Sequence, residues 1–223
     1  MNRAELFAEY GWPATPWLRT NFVYGIDAGV TRDGRSGSLS GPVDNALLHH
    51  LRATSDVVLV SVGTAVAEDY IGVRLPADEE RARLARGENS APPLAVFTRS
   101  GRIGTPDRFL TQTVAPNYLV LTSTDPAAVR AAESAVDRSE GTMTLVAADG
   151  TTDALRQLRA LGYGRMLCEG GPRLAGALAA DGHVDEHCVT LSPATGGEGR
   201  RHAQPPAAQH YSPAFAAIVE GFV

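Results

Sequence analysis

Short apolar runs that alternate with helical patterns dominate this sequence and most constrain its fold. Most of the runs are continuously apolar, which is typical of strands covered on both faces. Seven runs have this strand character: 20–26, 56–62, 94–98, 118–122, 143–147, 165–168 and 187–191. A chain in which such strands alternate with helices is predicted to be an α/β protein built on a central sheet.

Proline and polar caps mark where the helices between these runs begin. A helix over 42–53 is predicted to start with Ser40 as its cap and Pro42 in its first turn. A second is predicted to start at Asp125-Pro126 and continue through Val136. We expect 1–223 to form a single domain, with 1–18 as an N-terminal extension, because apolar strand patterns resume after each interruption. Of the two interruptions, 76–93 is predicted to be an exposed helical turn with a connection, and 193–206 is predicted to be a mobile loop.

The chain has no lysine: all 20 of its basic residues are arginine, against 25 acidic residues and a net charge of −5. This excludes a lysine Schiff base and a G-x-x-x-x-G-K phosphate loop. It also argues against nucleic acid as the main partner. An anionic ligand must therefore be held by arginine, by backbone N–H groups or by hydroxyls.

Other sequence features argue for a cytoplasmic protein without a membrane partner. No apolar run approaches the roughly 20 residues that span a bilayer. The segment Met1–Tyr10 carries Glu5 and Glu9 and lacks the design of a signal peptide. Cys168 and Cys188 are therefore predicted to be buried thiols rather than a disulfide.

The segment Cys168–Pro172 carries the most chemical information. A strand that ends in Gly170-Gly171, with Pro172 in the first helical turn, lets backbone N–H groups approach a phosphate. An ordinary tight turn would have the same residues, so the glycines alone leave both interpretations open. Glu169 favours a ligand site, because open α/β sheets bind ligands at the carboxyl ends of their strands.

Two other segments are weaker signals. Gly63-Thr64 follows a strand in the same way and Glu68 lies four residues after Thr64, but a capped helix is the better explanation of this pattern. The loop Asp33–Ser38, rich in glycine and serine, could wrap a ligand or be a flexible connection.

The stretch His183–His187 matches the zinc-peptidase pattern H-x-x-E-H. That chemistry needs both imidazoles on one helix face, yet the sequence continues as a strand. A strand would place the two histidines about 13 Å apart, so no metal site is expected.

Taken together and in order, several motifs resemble the reductase domain of riboflavin biosynthesis, most closely its stand-alone actinobacterial form. The matching stretches are Asp27, 33–37, Leu51-Arg52, 56–60 with Gly63-Thr64, 169–171, and 184–186 with Ser192-Pro193. The resemblance implies a fold related to dihydrofolate reductase, a three-layer sandwich whose mostly parallel, mixed sheet is flanked by helices. Bifunctional relatives carry a zinc deaminase with H-x-E and P-C-x-x-C motifs; this chain has neither, so reductase chemistry alone is expected.

The resemblance implies NADPH-dependent reduction of the ribosylamino group of an aminopyrimidine ribose 5′-phosphate to a ribitylamino group. It also implies a homodimer. It assigns Asp27 and Glu169 to catalysis, and the matching or neighbouring positions Ser36, Arg52 and Arg74 to the substrate. The cofactor positions implied are Ser38, Gly63, Thr64, Glu68, Gly170, Gly171, Pro172 and Leu174.

Preference for NADPH requires recognition of a 2′-phosphate. Without lysine, that task is predicted to fall to Thr98, Arg99 and Ser100, with Ser123 as a weaker candidate.

The chain departs from the family pattern at two places. The usual S-L-D-G appears as Gly25–Ala28, and the usual V-G-x-G-T appears as Val60–Thr64. The side chains of Ala28 and Ser61 add atoms where glycine is usual, which costs conformational freedom if φ is positive. Two alternatives therefore remain: a reductase of another heterocycle, such as a pterin, and a binding protein without turnover.

Overall fold

The computed structural model describes residues 3–14, 16–32, 34–104, 107–113 and 116–195. Its strands are β1 (Trp17–Gly25), β2 (Val57–Ser61), β3 (Leu94–Thr98), β4 (Asn117–Leu121), β5 (Met143–Ala147), β6 (Arg165–Gly170) and β7 (Glu186–Ser192). Its helices are α1 (Arg3–Ala8), α2 (Pro42–Thr54), α3 (Val62–Ala67), α4 (Ala77–Ala85), α5 (Arg108–Thr111), α6 (Pro126–Asp137), α7 (Gly150–Ala160) and α8 (Pro172–Ala180).

The seven strands form one sheet in the order β5-β4-β3-β2-β6-β1-β7. This confirms the predicted α/β fold. The sheet was expected to be mixed, but every pairing between these strands is parallel. Helical crossovers return the chain to the same end of the sheet after each strand, which is what parallel pairing requires.

Helices cover both faces of the sheet and make the three predicted layers. One core lies between the sheet and helices that include α2 and α6, and contains Leu51, Val96 and Ala132. The other lies between the sheet and helices α7 and α8, and contains Leu155 and Leu178. The central strands are buried on both faces, in keeping with their unbroken apolar sequences.

Strand β1 begins at Trp17, three residues earlier than predicted, because Trp17–Thr20 pair with β6. The last two residues of the predicted N-terminal extension therefore belong to the sheet. Tyr10 and Gly11 of the extension contact the domain through Arg19, whose guanidinium donates to their carbonyl oxygens and to the carboxylate of Glu186.

Two local predictions need correction. Gly41, not Ser40, is the cap of α2, and the Ser40 hydroxyl donates instead to the Asp44 carboxylate. In the segment 76–93 the predicted helical turn is the helix α4, but the segment is not exposed throughout. Arg83 in that helix is only 3% exposed and donates to the carbonyl oxygens of Ala53 and Ser55. The loop predicted at 193–206 lies outside the described residues after position 195.

The strand order reverses between β2 and β6. After β2 the chain proceeds outward through β3, β4 and β5, and then returns to place β6 between β2 and β1. In open α/β sheets, ligands bind outside the carboxyl ends of the strands at such a reversal. The fold therefore predicts a ligand site at the carboxyl ends of β2 and β6. No helix in the described part of the chain is long and apolar enough to cross a membrane.

Candidate functional site

A cleft of about 1170 Å³ opens at this reversal. Its walls come from the ends of β1, β2, β3 and β6, from α2, and from the loops that follow β1 and α3. Predicted site residues that line it are Ser36, Arg52, Gly63, Thr64, Glu68, Arg74, Thr98, Arg99, Ser100, Glu169, Gly171 and Pro172. The fold thus brings together residues that are up to 136 positions apart, from Ser36 to Pro172.

Glu169 and Arg52 form a buried ion pair with one another. Both carboxylate oxygens accept from the guanidinium, Oε1 from Nε at 2.6 Å and Oε2 from Nη2 at 2.6 Å. The side chain of Glu169 is 5% exposed and that of Arg52 is 14% exposed. The charge of each residue is therefore compensated by that of the other.

Tyr70 completes this pair. Its hydroxyl donates to Glu169 Oε2 at 2.6 Å and accepts from Arg52 Nη2 at 3.2 Å. Burial raises the pKa of Tyr70 well above its ordinary value, and the negative charge of Glu169 raises it further. Burial lowers the pKa of Arg52, but the attraction of Glu169 outweighs this effect and the net pKa is raised. Arg52 therefore stays charged and Tyr70 keeps its proton.

The ends of β2 and β6, which carry small residues, also contact one another. The Ser61 hydroxyl accepts from the backbone N–H of Thr64 and from that of Gly171, each at 3.2 Å. Added to Gly171, a Cβ atom would lie 2.8 Å from Thr64 Oγ1, so only glycine fits there without a shift of Thr64. The φ angle of Ser61 is −81°, so the replacement of the usual glycine does not strain the backbone at this position.

Glu68 and Ser36, which were assigned to cofactor and substrate respectively, contact one another. Glu68 Oε1 accepts from the backbone N–H of Ser36 at 2.8 Å and from its hydroxyl at 3.0 Å. These bonds fasten the glycine- and serine-rich loop to the end of α3. That loop is thus held against the cleft wall by a specific contact.

Four arginines in the cleft lining form no ion pair with another described residue. They are Arg74, Arg99, Arg102 and Arg173. Arg99 and Arg102 also line an adjoining cavity of about 470 Å³ with Ser100 and Ser123. Unpaired guanidinium groups beside hydroxyls are suited to bind phosphate.

Four predicted site residues lie outside the cleft lining. Asp27 is exposed, and its carboxylate accepts from the backbone N–H of Gly29 in the turn after β1. Ser38 is exposed and donates to the carbonyl oxygens of Arg32 and Arg35. Gly170 and Leu174 are buried below the cleft. The resemblance assigned these four positions, and their roles stay predictions because the cleft lining does not include them.

The structure adds cleft residues that the sequence analysis did not single out, above all Tyr70, Arg102 and Arg173. Tyr70 follows Glu68-Asp69 in a segment without a recognisable motif. Arg173 comes directly after Gly171-Pro172, and this adjacency was the one available signal.

The φ angle of Ala28 is +61°, in the left-handed region that favours glycine. The conformational cost expected at this position is therefore present. No group of three or more His, Cys, Asp or Glu side chains that could hold a metal ion forms among the described residues. The His183 side chain forms a hydrogen bond with Thr152, and the His187 side chain forms one with Thr20.

Cys168 and Cys188 are free and buried, as predicted, and burial raises the pKa of Cys168 to about 12.

Comparison with known proteins agrees with this architecture. The solved structures that resemble it include a pyrimidine reductase-like protein from Corynebacterium diphtheriae, with a TM-score of 0.66, 22% identity and coverage of 80% of this chain and 75% of that one. A deaminase/reductase from Thermotoga maritima also has a TM-score of 0.66, with 16% identity and coverage of 96% and 56%. At these identities the likeness shows the fold.

Two curated sequences are also similar to this chain. The 2,5-diamino-6-ribosylamino-4(3H)-pyrimidinone 5′-phosphate reductase of Methanothermobacter thermautotrophicus is 27% identical over 186 residues, which cover 80% of this chain and 78% of that protein. The riboflavin biosynthesis protein RibD of Escherichia coli is 29% identical over 190 residues, or 79% of this chain. The chain matches 50% of the length of that second protein. The sequence model of the RibD C-terminal domain family matches residues 16–215, which is nearly the whole sequence. The chain therefore belongs to the RibD C-terminal domain family.

Proposed function

We propose that the chain reduces the ribosylamino group of a phosphorylated aminopyrimidine to a ribitylamino group, with NADPH as the source of hydride. The observation that carries the proposal is the single cleft in which a glycine turn, hydroxyl groups and unpaired arginines converge. The activity for which the Methanothermobacter relative is named supports the class of substrate. Membership of the family supports a reductase.

The residues of the cleft fit a dinucleotide. Gly171 leaves open a space that a Cβ atom would fill, and the N-terminus of α8 begins directly beside it. Thr64 and Arg173 would contact the phosphate groups of the cofactor, and Arg99 with Ser100 would contact the 2′-phosphate. When bound, the nicotinamide supplies a hydride, and the protein contributes orientation and charge complementarity.

The same cleft suggests how the substrate is held. Arg52 is engaged by Glu169, so Arg74, which has no ion pair among the described residues, is the better candidate for the substrate phosphate. The Glu169 carboxylate, held from behind by Arg52 and Tyr70, keeps acceptor capacity for an amino group of the heterocycle. In this arrangement the Arg52–Glu169 ion pair orients the substrate, and Arg74 supplies the net positive charge that its phosphate requires.

Replacement of Arg99 by alanine is expected to weaken NADPH binding by about tenfold or more while NADH binding changes little. The physical reason is that a hydrogen bond to a charged phosphate contributes about 1.5–3 kcal/mol, and NADH lacks that phosphate. Fluorescence titration with each nucleotide measures the effect. Arg159→Ala, which removes an exposed arginine outside the cleft, is the matched control. An equal loss for both nucleotides in Arg99→Ala would assign the 2′-phosphate to another residue.

Turnover separates this proposal from its alternatives. Incubation of the protein with NADPH and the aminopyrimidine ribose 5′-phosphate should produce a steady loss of nicotinamide absorbance. A protein that binds both compounds without oxidising NADPH would be a binding protein. Reduction of a pterin but not of the aminopyrimidine would show a different substrate.

We also propose that the chain forms a homodimer through the edge of the sheet at β7. Three large apolar side chains are exposed together there: Ile26 at 63%, Val189 at 58% and Leu191 at 66%. Val189 and Leu191 lie on one face of β7, opposite Phe22 and Tyr24 of β1 in the strand register. A two-fold contact between identical faces would remove this apolar surface from water.

Val189→Asp should convert the dimer into a monomer, because two carboxylates would be buried in a symmetric interface. Light scattering after size exclusion measures the mass. Leu84→Asp provides a control at another exposed apolar position, 56% exposed on α4, and should leave the mass of a dimer. A monomeric wild-type protein would refute the proposed assembly.

A further inference from the structure

The hydroxyl of Ser61 lies at the centre of a small network between the ends of β2 and β6. Its oxygen accepts from the backbone N–H of Thr64 and from the backbone N–H of Gly171. It also lies 3.1 Å from Thr64 Oγ1, close enough for a third hydrogen bond. All three partners line or adjoin the same wall of the cleft.

The number of lone pairs decides the direction of that third bond. A hydroxyl oxygen has two acceptor positions and one proton. The two backbone N–H groups use both acceptor positions of Ser61 Oγ. The contact between the two hydroxyls therefore has Ser61 as its donor and Thr64 Oγ1 as its acceptor.

This assignment has a consequence for Thr64. Since its oxygen accepts from Ser61, its own proton must point away from Ser61. Thr64 is part of the cleft lining, and Gly171 beside it carries no side chain that could fill the space. Thr64 is thus presented to the cleft as a hydrogen-bond donor, which is the polarity that an anionic oxygen requires.

We propose that Ser61 is a positioning residue that fixes the Thr64 hydroxyl as a donor to a diphosphate group bound in the cleft. This inference rests on the proposed function, because it takes the diphosphate to be that of the nicotinamide cofactor. Ser61 does not need to touch the ligand. Ser61 acts through Thr64. The hydrogen bonds that Ser61 Oγ accepts from Thr64 N–H and Gly171 N–H polarise the Ser61 hydroxyl and make it a stronger donor to Thr64 Oγ1.

A double-mutant cycle tests this coupling. Ser61→Ala and Thr64→Val are each expected to weaken NADPH binding about tenfold, because each removes the oriented hydrogen bond to a charged group. The double variant should bind no more weakly than Thr64→Val alone, since both substitutions abolish the same interaction. Ser61→Thr, which keeps a hydroxyl at the position, should retain affinity close to that of the wild-type protein. Thermal unfolding of each variant reports separately on the loss of the helix cap.

The outcomes distinguish this inference from a purely structural role for Ser61. If Ser61 only caps α3, Ser61→Ala lowers the unfolding temperature while NADPH affinity stays unchanged, and the proposal is wrong. Tighter NADPH binding to Ser61→Ala would also overturn it, because the two freed N–H groups would then bind the anion themselves. Independent, additive losses in the double variant would show that the two hydroxyls are not coupled.

Titration with inorganic diphosphate separates the inference from the proposed function. If the wild-type protein binds diphosphate with the same coupling but does not bind NADPH, the role of Ser61 stands and the nicotinamide cofactor is wrong. If NADPH binds without coupling, the proposed function stands and the role of Ser61 is wrong. If the wild-type protein binds neither probe, both proposals are refuted.

Discussion

Arg52→Ala is expected to lower the free energy of unfolding by about 3–5 kcal/mol and to abolish turnover. Removal of one partner of a buried ion pair leaves the other charge without compensation, and that desolvation cost is large. Here the remaining charge would be Glu169, whose side chain is 5% exposed and would keep only the Tyr70 hydroxyl of its present hydrogen-bond partners. Urea unfolding measures the stability, and loss of nicotinamide absorbance measures turnover.

Two further variants identify the cause of this loss. Arg156→Ala breaks an ion pair with Asp153 in which the arginine side chain is 71% exposed, and should cost less than about 1 kcal/mol. Addition of Glu169→Gln to Arg52→Ala removes the uncompensated charge and should recover part of the stability, but not the activity. If Arg52→Ala costs no more than Arg156→Ala, the pair does not contribute to stability in the way described above.

Gly170→Ala is expected to destabilise the protein by about 2–6 kcal/mol and to weaken NADPH binding strongly. The φ angle of Gly170 is +105°, a region that costs other residues about 1–3 kcal/mol. In addition, a Cβ atom would lie 2.9 Å from Cε1 of Phe22, so the ring must move. Crowding of this kind typically costs about 1–3 kcal/mol more. Phe22 lines the cleft, so its displacement also disturbs the ligand site.

Gly162→Ala separates the two contributions. Gly162 has a similar φ angle of +95°, but a Cβ atom there meets nothing within 4 Å. This control should therefore show the cost of the backbone conformation alone and leave NADPH binding unchanged. Unfolding curves and nucleotide titrations of both variants make the comparison. Equal effects of the two substitutions on stability and on binding would exclude a role for the contact with Phe22.

The fold was largely predictable because its signal is local. Apolar runs, most of them continuous, identified all seven strands within a few residues, and proline near the first turn identified the starts of α2 and α6. The start of β1 was missed because Arg19 lies inside it, and nothing in the neighbouring sequence suggests that an arginine there is 1% exposed. Its charge is compensated by Glu186, far along the chain.

The candidate site was predictable only in part, because some of its contacts join residues that are far apart in the sequence. Glycines at the ends of β2 and β6 are compatible with a ligand site and also with ordinary turns, and only the structure places both in one cleft wall. The partnership of Arg52 with Glu169 spans 117 positions, and that of Tyr70 with Glu169 spans 99. No periodicity or motif encodes such contacts. Asp27 belongs to a matching motif but lies in an exposed turn outside the cleft lining, so its assignment stays a prediction.

The central claim is that one cleft binds a nicotinamide cofactor and a phosphorylated aminopyrimidine for direct reduction. It is tested most directly by single-turnover mixing of the protein, NADPH and the aminopyrimidine ribose 5′-phosphate, with nicotinamide absorbance followed and the product identified by mass spectrometry. The account predicts that NADPH is consumed in equal amount to a product two hydrogens heavier than the substrate. Saturable binding of both compounds without this product, or no saturable binding of NADPH, would contradict it.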